Sequence, residues 1–176
     1  MVKKAPSKKI KEARSRRFYV PMAFIRGGVA FLTESQSGHL RKVLRLKVGD
    51  KIDLFDGERE YLARLSRIGR DGAEAVVLLK EEAIPRPRHK ITLGQALLKG
   101  KKMDFVVQKA TELGVWEILP FISRRSIVRK IADETSRLER WKAIAEGAVS
   151  SSGRVWLPRI CPFVTFDEVV SLKEYE

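Results

Sequence analysis

The sequence predicts a two-domain protein of mixed class, a small α+β unit rich in strands followed by an α/β unit. Three observations carry this. Short alternating apolar stretches with turn signals crowd residues 51–79, a spacing typical of a small β-barrel. A basic stretch bearing Pro85 and Pro87, Ala83–His89, interrupts the pattern and reads as a linker. Beyond it strand-like and helix-like segments alternate, which implies a parallel sheet with crossover helices.

The elements follow in order. Residues 1–14 contain almost nothing to bury and read as a disordered basic extension. Arg16–Val20 is strand-like and stops at Pro21, which has no N–H for a ladder. Gly27-Gly28 reads as a turn before a short strand, Val29–Leu32. Thr33 and Gln36 have capping-box spacing. Leu40, Val43 and Leu44 then predict a helix of three turns closing near Gly49. Ile52 and Leu54 alternate with polar residues, Asp56-Gly57 marks a tight turn, and Tyr61, Ala63 and Leu65 alternate again. A turn at Gly69–Gly72 leads to a third strand, Ala73–Leu79.

After the linker, Ile91–Ala96 reads as a strand. Met103, Val106, Val107 and Ala110 predict an amphipathic helix over 102–113, ended by Gly114. Val115–Phe121 is a further strand. Ser136 and Glu139 have capping-box spacing, and the helix they open would bury Leu138, Trp141, Ile144, Ala145 and Ala148. Phe166–Leu172 begins another helical pattern. At most three strands are expected here, so the second domain reads as incomplete at its C-terminal end.

Composition narrows the function classes. The chain has 176 residues, 36 Lys+Arg against 22 Asp+Glu, and a formal charge of +14. One cysteine, Cys161, excludes an intramolecular disulfide framework and suits a reducing cytoplasm. The longest clean apolar run is Ala75–Leu79, so no membrane span is expected, and no apolar segment follows the basic N-terminus to make a secretory signal. His39, His89 and Cys161 have no ligand spacing, which predicts no metal site. No P-loop or G-x-G-x-x-G is present.

The positive charge is concentrated. Residues 1–17 carry eight basic residues against Glu12 alone, 83–103 carry six with no acid, and 118–132 carry four with no acid. Three uncompensated segments favour a nucleic-acid partner, through counterion release from phosphates. Lys99 and Lys102 follow the strand 91–96 at its C-terminal end, where ligands of open α/β sheets bind. Lys109 lies seven residues after Lys102, on nearly the same helix face, and can pair with Glu112. The loop Ser151–Arg154 is expected near the same rim. Arg16 and Arg17 beside Phe18 and Tyr19 join guanidinium to aromatic groups, as nucleic-acid sites do.

The order of motifs resembles one family. Arg16–Val20, His39–Leu46 with Val48-Gly49-Asp50, and Asp56-Gly57 resemble the N-terminal domain of the RsmE ribosomal RNA uridine-N3 methyltransferases. Lys102-Met103-Asp104, Gln108–Gly114, Pro120, Arg125-Ser126, Arg140-Trp141 and Ser152-Gly153-Arg154 resemble the start of its catalytic domain. The resemblance implies a PUA-like barrel at 15–83, a linker at 84–90, and at 91–176 the first part of a SPOUT-type α/β trefoil-knot domain. It implies a cytoplasmic homodimer that uses S-adenosylmethionine to methylate N3 of one uridine, uracil 1498, in 16S rRNA of the small ribosomal subunit. Under that reading Arg154 and Arg125 stabilise substrate or transition-state charge, being too basic to accept the proton. Lys99, Lys102 and Lys109 meet RNA phosphates, and Arg16, Arg17, His39 and Arg45 dock RNA on the barrel.

The chain also departs from the pattern. The family's Gly-Pro-Glu-Gly-Gly loop has no counterpart, Ser150-Ser151 replace its Glu-Gln, and Arg124 replaces its Glu. The cofactor-binding residues are therefore expected C-terminal to Glu176, with the 176-residue chain inactive alone. Two other readings stay open: a non-catalytic RNA-binding protein, and a basic ribosome- or DNA-associated structural protein.

Overall fold

The computed structural model describes residues 16–85, 87–123 and 133–171, in two compact units that divide between Pro85 and Arg86. The expected basic extension, and Arg125, lie outside the described residues.

The first unit is a six-stranded sheet of order β1-β4-β5-β6-β3-β2, with β1 Arg17–Tyr19, β2 Ile25–Arg26, β3 Val29–Leu32, β4 Lys51–Phe55, β5 Glu60–Ile68 and β6 Ala73–Lys80. All pairings are antiparallel except β1 with β4, which is parallel. Alternation decides the inner face: Ile52, Leu54, Ala63, Leu65, Ala73, Ala75, Ala30 and Leu32 are buried, while their neighbours along each strand face outward. The expected PUA-like barrel is here a half-barrel, because β1 and β2 are its two edges and do not pair. Helix α1 (Glu34–Lys42) plugs it, with Leu40 wholly buried in the same core. Burying such a side chain contributes about 1.5–3 kcal/mol.

Helix α1 starts as the sequence predicts. Thr33 accepts from the Gln36 N–H, and the Gln36 side chain accepts from the Thr33 N–H. The Gln36 amide also donates to the Tyr19 carbonyl at 2.6 Å, tying the helix to edge strand β1. The helix ends at Lys42, well short of Gly49. The Leu46 N–H turns back to the Leu40 carbonyl, and Arg45 takes a left-handed φ of 54°. Val43 is consequently 64% exposed rather than buried. Gly27 and Gly28 both have positive φ, 56° and 77°, as a two-residue turn between β2 and β3 requires.

The second unit is a four-stranded parallel sheet: β7 Thr92–Ala96, β8 Glu117–Ile122, β9 Arg159–Ile160 and β10 Val164–Thr165. The order is β10-β8-β7, with β9 paired to the start of β8. The two-residue strands β9 and β10 carry no periodicity, so sequence reading missed them. Helices α2 (Lys101–Leu113) and α3 (Glu134–Ser152) pack beside one another, and α4 spans Phe166–Ser171. Met103, Val107, Ala110, Trp141 and Ala145 join Leu97 and Ile118 in one core. Helix α3 begins two residues before Ser136. Asp133 is the N-cap, and it is the Ser136 N–H that it accepts, at 3.0 Å.

Candidate functional site

Parallel register brings the C-terminal ends of β7, β8 and β10 to one rim of the second sheet. The chain leaves β7 through Leu97, whose N–H bonds to the Phe121 carbonyl at 2.9 Å, and enters α2 at Gly100. Gly100 has a φ of 60° and no side chain to cap the helix. Lys99, Lys101 and Lys102 surround this start, all exposed. Three ammonium groups around the uncapped N–H groups of a helix form an anion-attracting rim. Lys109, two turns on, is exposed too, but its ammonium is 2.8 Å from Glu112 and 5.9 Å from the Phe105 ring centroid. The Lys109 hydrogen bond holds the Glu112 carboxyl below the usual range.

Arg154 is not at this rim. Its Nε donates to the Glu112 carbonyl at 2.6 Å and its Nη2 to the Leu113 carbonyl at 2.7 Å. It therefore clamps the C-terminus of α2, where orphan carbonyls need donors. At the other end, Asp104 near the start of α2 is held by Arg140 and by the Trp141 indole at 3.2 Å. The pairs 104 with 140–141 and 112–113 with 154 show that α2 and α3 run parallel. At 1.5 Å per residue, α2 separates its two ends by about 20 Å. Ser151–Arg154 thus lies at the end of the unit opposite the lysine rim, and the serines Ser150, Ser151 and Ser152 bond back to carbonyls of α3 itself. This corrects the expected shared rim: here Arg154 caps the C-terminus of α2.

Cys161 is buried, its thiol 3.1 Å from Glu117 Oε1. Burial, then that hydrogen bond, pushes its pKa up to about 11, so it is a packing residue rather than a nucleophile. Among the described residues no group of His, Cys, Asp and Glu could hold a metal ion.

In the first unit, Arg16, His39 and Arg45 are exposed. The His39 ring meets Phe18 edge-on at 5.9 Å, two residues from Arg16, and the Leu44 N–H bonds to the His39 carbonyl, beside Arg45. Strand β1 and the end of α1 so gather the three. Arg17 is different. It is 8% exposed, ion-paired with Glu60, and lies 5.0 Å from the Phe55 ring centroid. It alternates with the core residue Phe18 and so lies on the outer face opposite Asp53, where Glu60 and Phe55 cover it; its burial does not support the RNA contact expected from its position.

A half-barrel joined to a parallel α/β unit with a cationic rim has the layout of a two-domain nucleic-acid-modifying enzyme. Comparison with known proteins identifies the class. The family model described as RNA methyltransferase domain matches residues 85–176, and that of the RNA methyltransferase PUA domain matches 32–78. The chain belongs to this RNA methyltransferase family.

Within it, similar curated proteins carry the name ribosomal RNA small subunit methyltransferase E, the RsmE family whose motif order the chain resembles. The ribosomal RNA small subunit methyltransferase E of a Synechocystis strain is 31% identical over 141 residues, 79% of this chain and 45% of that protein. That of Buchnera aphidicola is 29% identical over 154 residues, 86% of this chain and 60% of that protein. A crystal structure of the Neisseria gonorrhoeae enzyme bound to S-adenosyl methionine superposes with a TM-score of 0.80 at 36% identity, over 89% of this chain and 65% of that one. The chain spans about half the length of the curated relatives it matches.

Proposed function

We propose that the protein containing this chain methylates small-subunit ribosomal RNA with S-adenosylmethionine as donor. In this reading the target is N3 of one uridine in 16S rRNA, and the protein works as a homodimer in the cytoplasm. The observation that carries it is the double family match, one model on each structural unit. No described helix is long and apolar enough to cross a membrane.

The donor would supply a methyl group on a sulfonium, already activated for transfer. The described rim does not fit that molecule by itself. Its free polar groups are the lysines, and the carboxylate of Asp104 is committed to Arg140 and Trp141. Lysines suit phosphate oxygens, not an adenosyl group. In this reading the donor pocket is completed by the part of the relatives beyond the matched stretch, and this chain's residues hold RNA. Lys99 and Lys102 would take phosphates at the rim, with Lys109 further along α2. Arg16, His39 and Arg45 would dock RNA on the half-barrel. Arg154 and Arg125 are the candidates for charge on the uracil oxygens, because a guanidinium stabilises such charge without losing its own proton.

The test is genetic. Deleting the gene in its host should remove 3-methyluridine from small-subunit rRNA nucleosides, read by mass spectrometry. An unchanged 3-methyluridine signal would sink the proposal.

A further inference from the structure

One cross-strand row on the outer face of the half-barrel has no explanation in the fold. The register pairs Lys51 with Arg64, Arg64 with Val76, Val76 with Val29, and Val29 with Arg26. Directly opposed residues of an antiparallel pair share a face, so these five side chains line one stripe across β4, β5, β6, β3 and β2. Like charges set opposite one another, as Lys51 and Arg64 are, destabilise a sheet. Neither takes part in an ion pair among the described residues. The acids nearest the stripe are engaged elsewhere. Glu74 is bridged by Arg67, and Asp53, the next outward residue on β4, faces Arg17.

At the β2 end the stripe runs into an aromatic groove. Phe24, Arg26, Gly27, Val29 and Phe31 line an open groove of about 640 Å³. Phe24 is 52% and Phe31 43% exposed. The Arg26 Nε donates to the Ala23 carbonyl at 2.9 Å, which fixes the guanidinium at the groove.

We infer that this face holds an unpaired RNA segment, with bases on Phe24 and Phe31 and phosphates on Arg26, Arg64 and Lys51. Exposed rings beside uncompensated cations on a sheet are the combination that single-stranded RNA uses, since every base has a face to stack. A second copy of the chain fits poorly, because a two-fold contact would set this cationic stripe against itself. The inference rests on the reading of the protein as an RNA-modifying enzyme and adds a surface on the first unit built from other residues than Arg16, His39 and Arg45. It also makes the preferred RNA single-stranded there.

Fluorescence anisotropy on the full chain tests it, with a short unstructured RNA oligonucleotide and an RNA duplex of equal length as probes. The chain should bind the single strand more tightly. Phe24→Ala with Phe31→Leu should weaken single-strand binding about tenfold or more and leave the duplex unchanged. Lys51→Ala with Arg64→Ala, both at exposed positions, should flatten the single-strand salt slope by about 0.7 per lost contact. This second variant keeps the test alive if the aromatic one fails to fold. Wild-type binding with both variants unaffected overturns the inference and spares the methylation reading. So does a phenylalanine variant that changes sedimentation but not RNA affinity, which would mark a protein interface. Loss of 3-methyluridine on gene deletion, measured separately, decides the methylation reading itself.

Discussion

Arg17, Glu60 and Asp53 form a charged cluster at the edge of a core, and each responds differently to change. Glu60→Ala would remove the carboxylate that the buried Arg17 guanidinium is ion-paired with. Removing one partner of a buried pair costs about 3–5 kcal/mol, and Glu60 is 27% exposed, so a loss of about 2 kcal/mol is expected in urea unfolding near neutral pH. Burial raises the Asp53 carboxyl above its ordinary value, with the Arg17 charge opposing the shift and the Glu60 charge adding to it. A raised carboxyl binds its proton in the folded state where the unfolded chain has released it. Stability therefore falls as pH climbs through the ordinary carboxylate range to the folded value. Asp53→Asn should stabilise the protein at about pH 7 and add nothing at about pH 3. A net loss at the higher pH would show that the attraction to Arg17 outweighs burial. Cys161, with its thiol pushed up to about 11, should react far more slowly with a disulfide reagent in the folded protein than in urea.

Helix ends show what the sequence makes readable and what it does not. The Thr33–Gln36 box is local chemistry, two residues three apart satisfying one another, and it is legible. The stop of α1 was not, because it depends on Leu46 bonding back to Leu40 and on a left-handed Arg45, which no propensity announces. Ser136 has the right spacing for a cap, but Asp133 offers a charged acceptor one turn earlier and wins. Asp133→Ala should cost about 1 kcal/mol and Ser136→Ala much less. Arg154 was read as chemistry from motif order alone; its place was hidden because it depends on two parallel helices of different length ending together. Its two donors make Arg154→Lys a poor replacement, since a single ammonium does not reproduce the fork. Both Arg154→Ala and Arg154→Lys should lower the melting temperature, by about 1 kcal/mol in stability for the alanine. An unaffected melting temperature for Arg154→Ala would show that its two hydrogen bonds do not hold the end of α2.

Charge is a property of the whole chain, and its distribution was only partly visible in sequence. Runs such as Lys99–Lys102 stand out because the basic residues are adjacent. Lys51, Arg64 and Arg26 do not, because strands separate them and only the register lines them up. The +14 total predicts RNA binding that weakens steeply with salt, but it does not say which cations release counterions. The structure ranks two of them. Lys102 stands exposed at the uncapped start of α2, where the helix adds its own positive end. Lys109 is already neutralised by Glu112, so phosphate must compete with a carboxylate 2.8 Å away. Replacing Lys102 by alanine should reduce the slope of log K against log salt by about 0.7–0.9, the release expected for one phosphate contact. Lys109→Ala should reduce it less, and Glu112→Gln should raise it, because the freed ammonium can then pair with RNA. Equal slopes for Lys102→Ala and Lys109→Ala would mean that the rim attracts RNA only through net charge, with no phosphate seated at the start of α2.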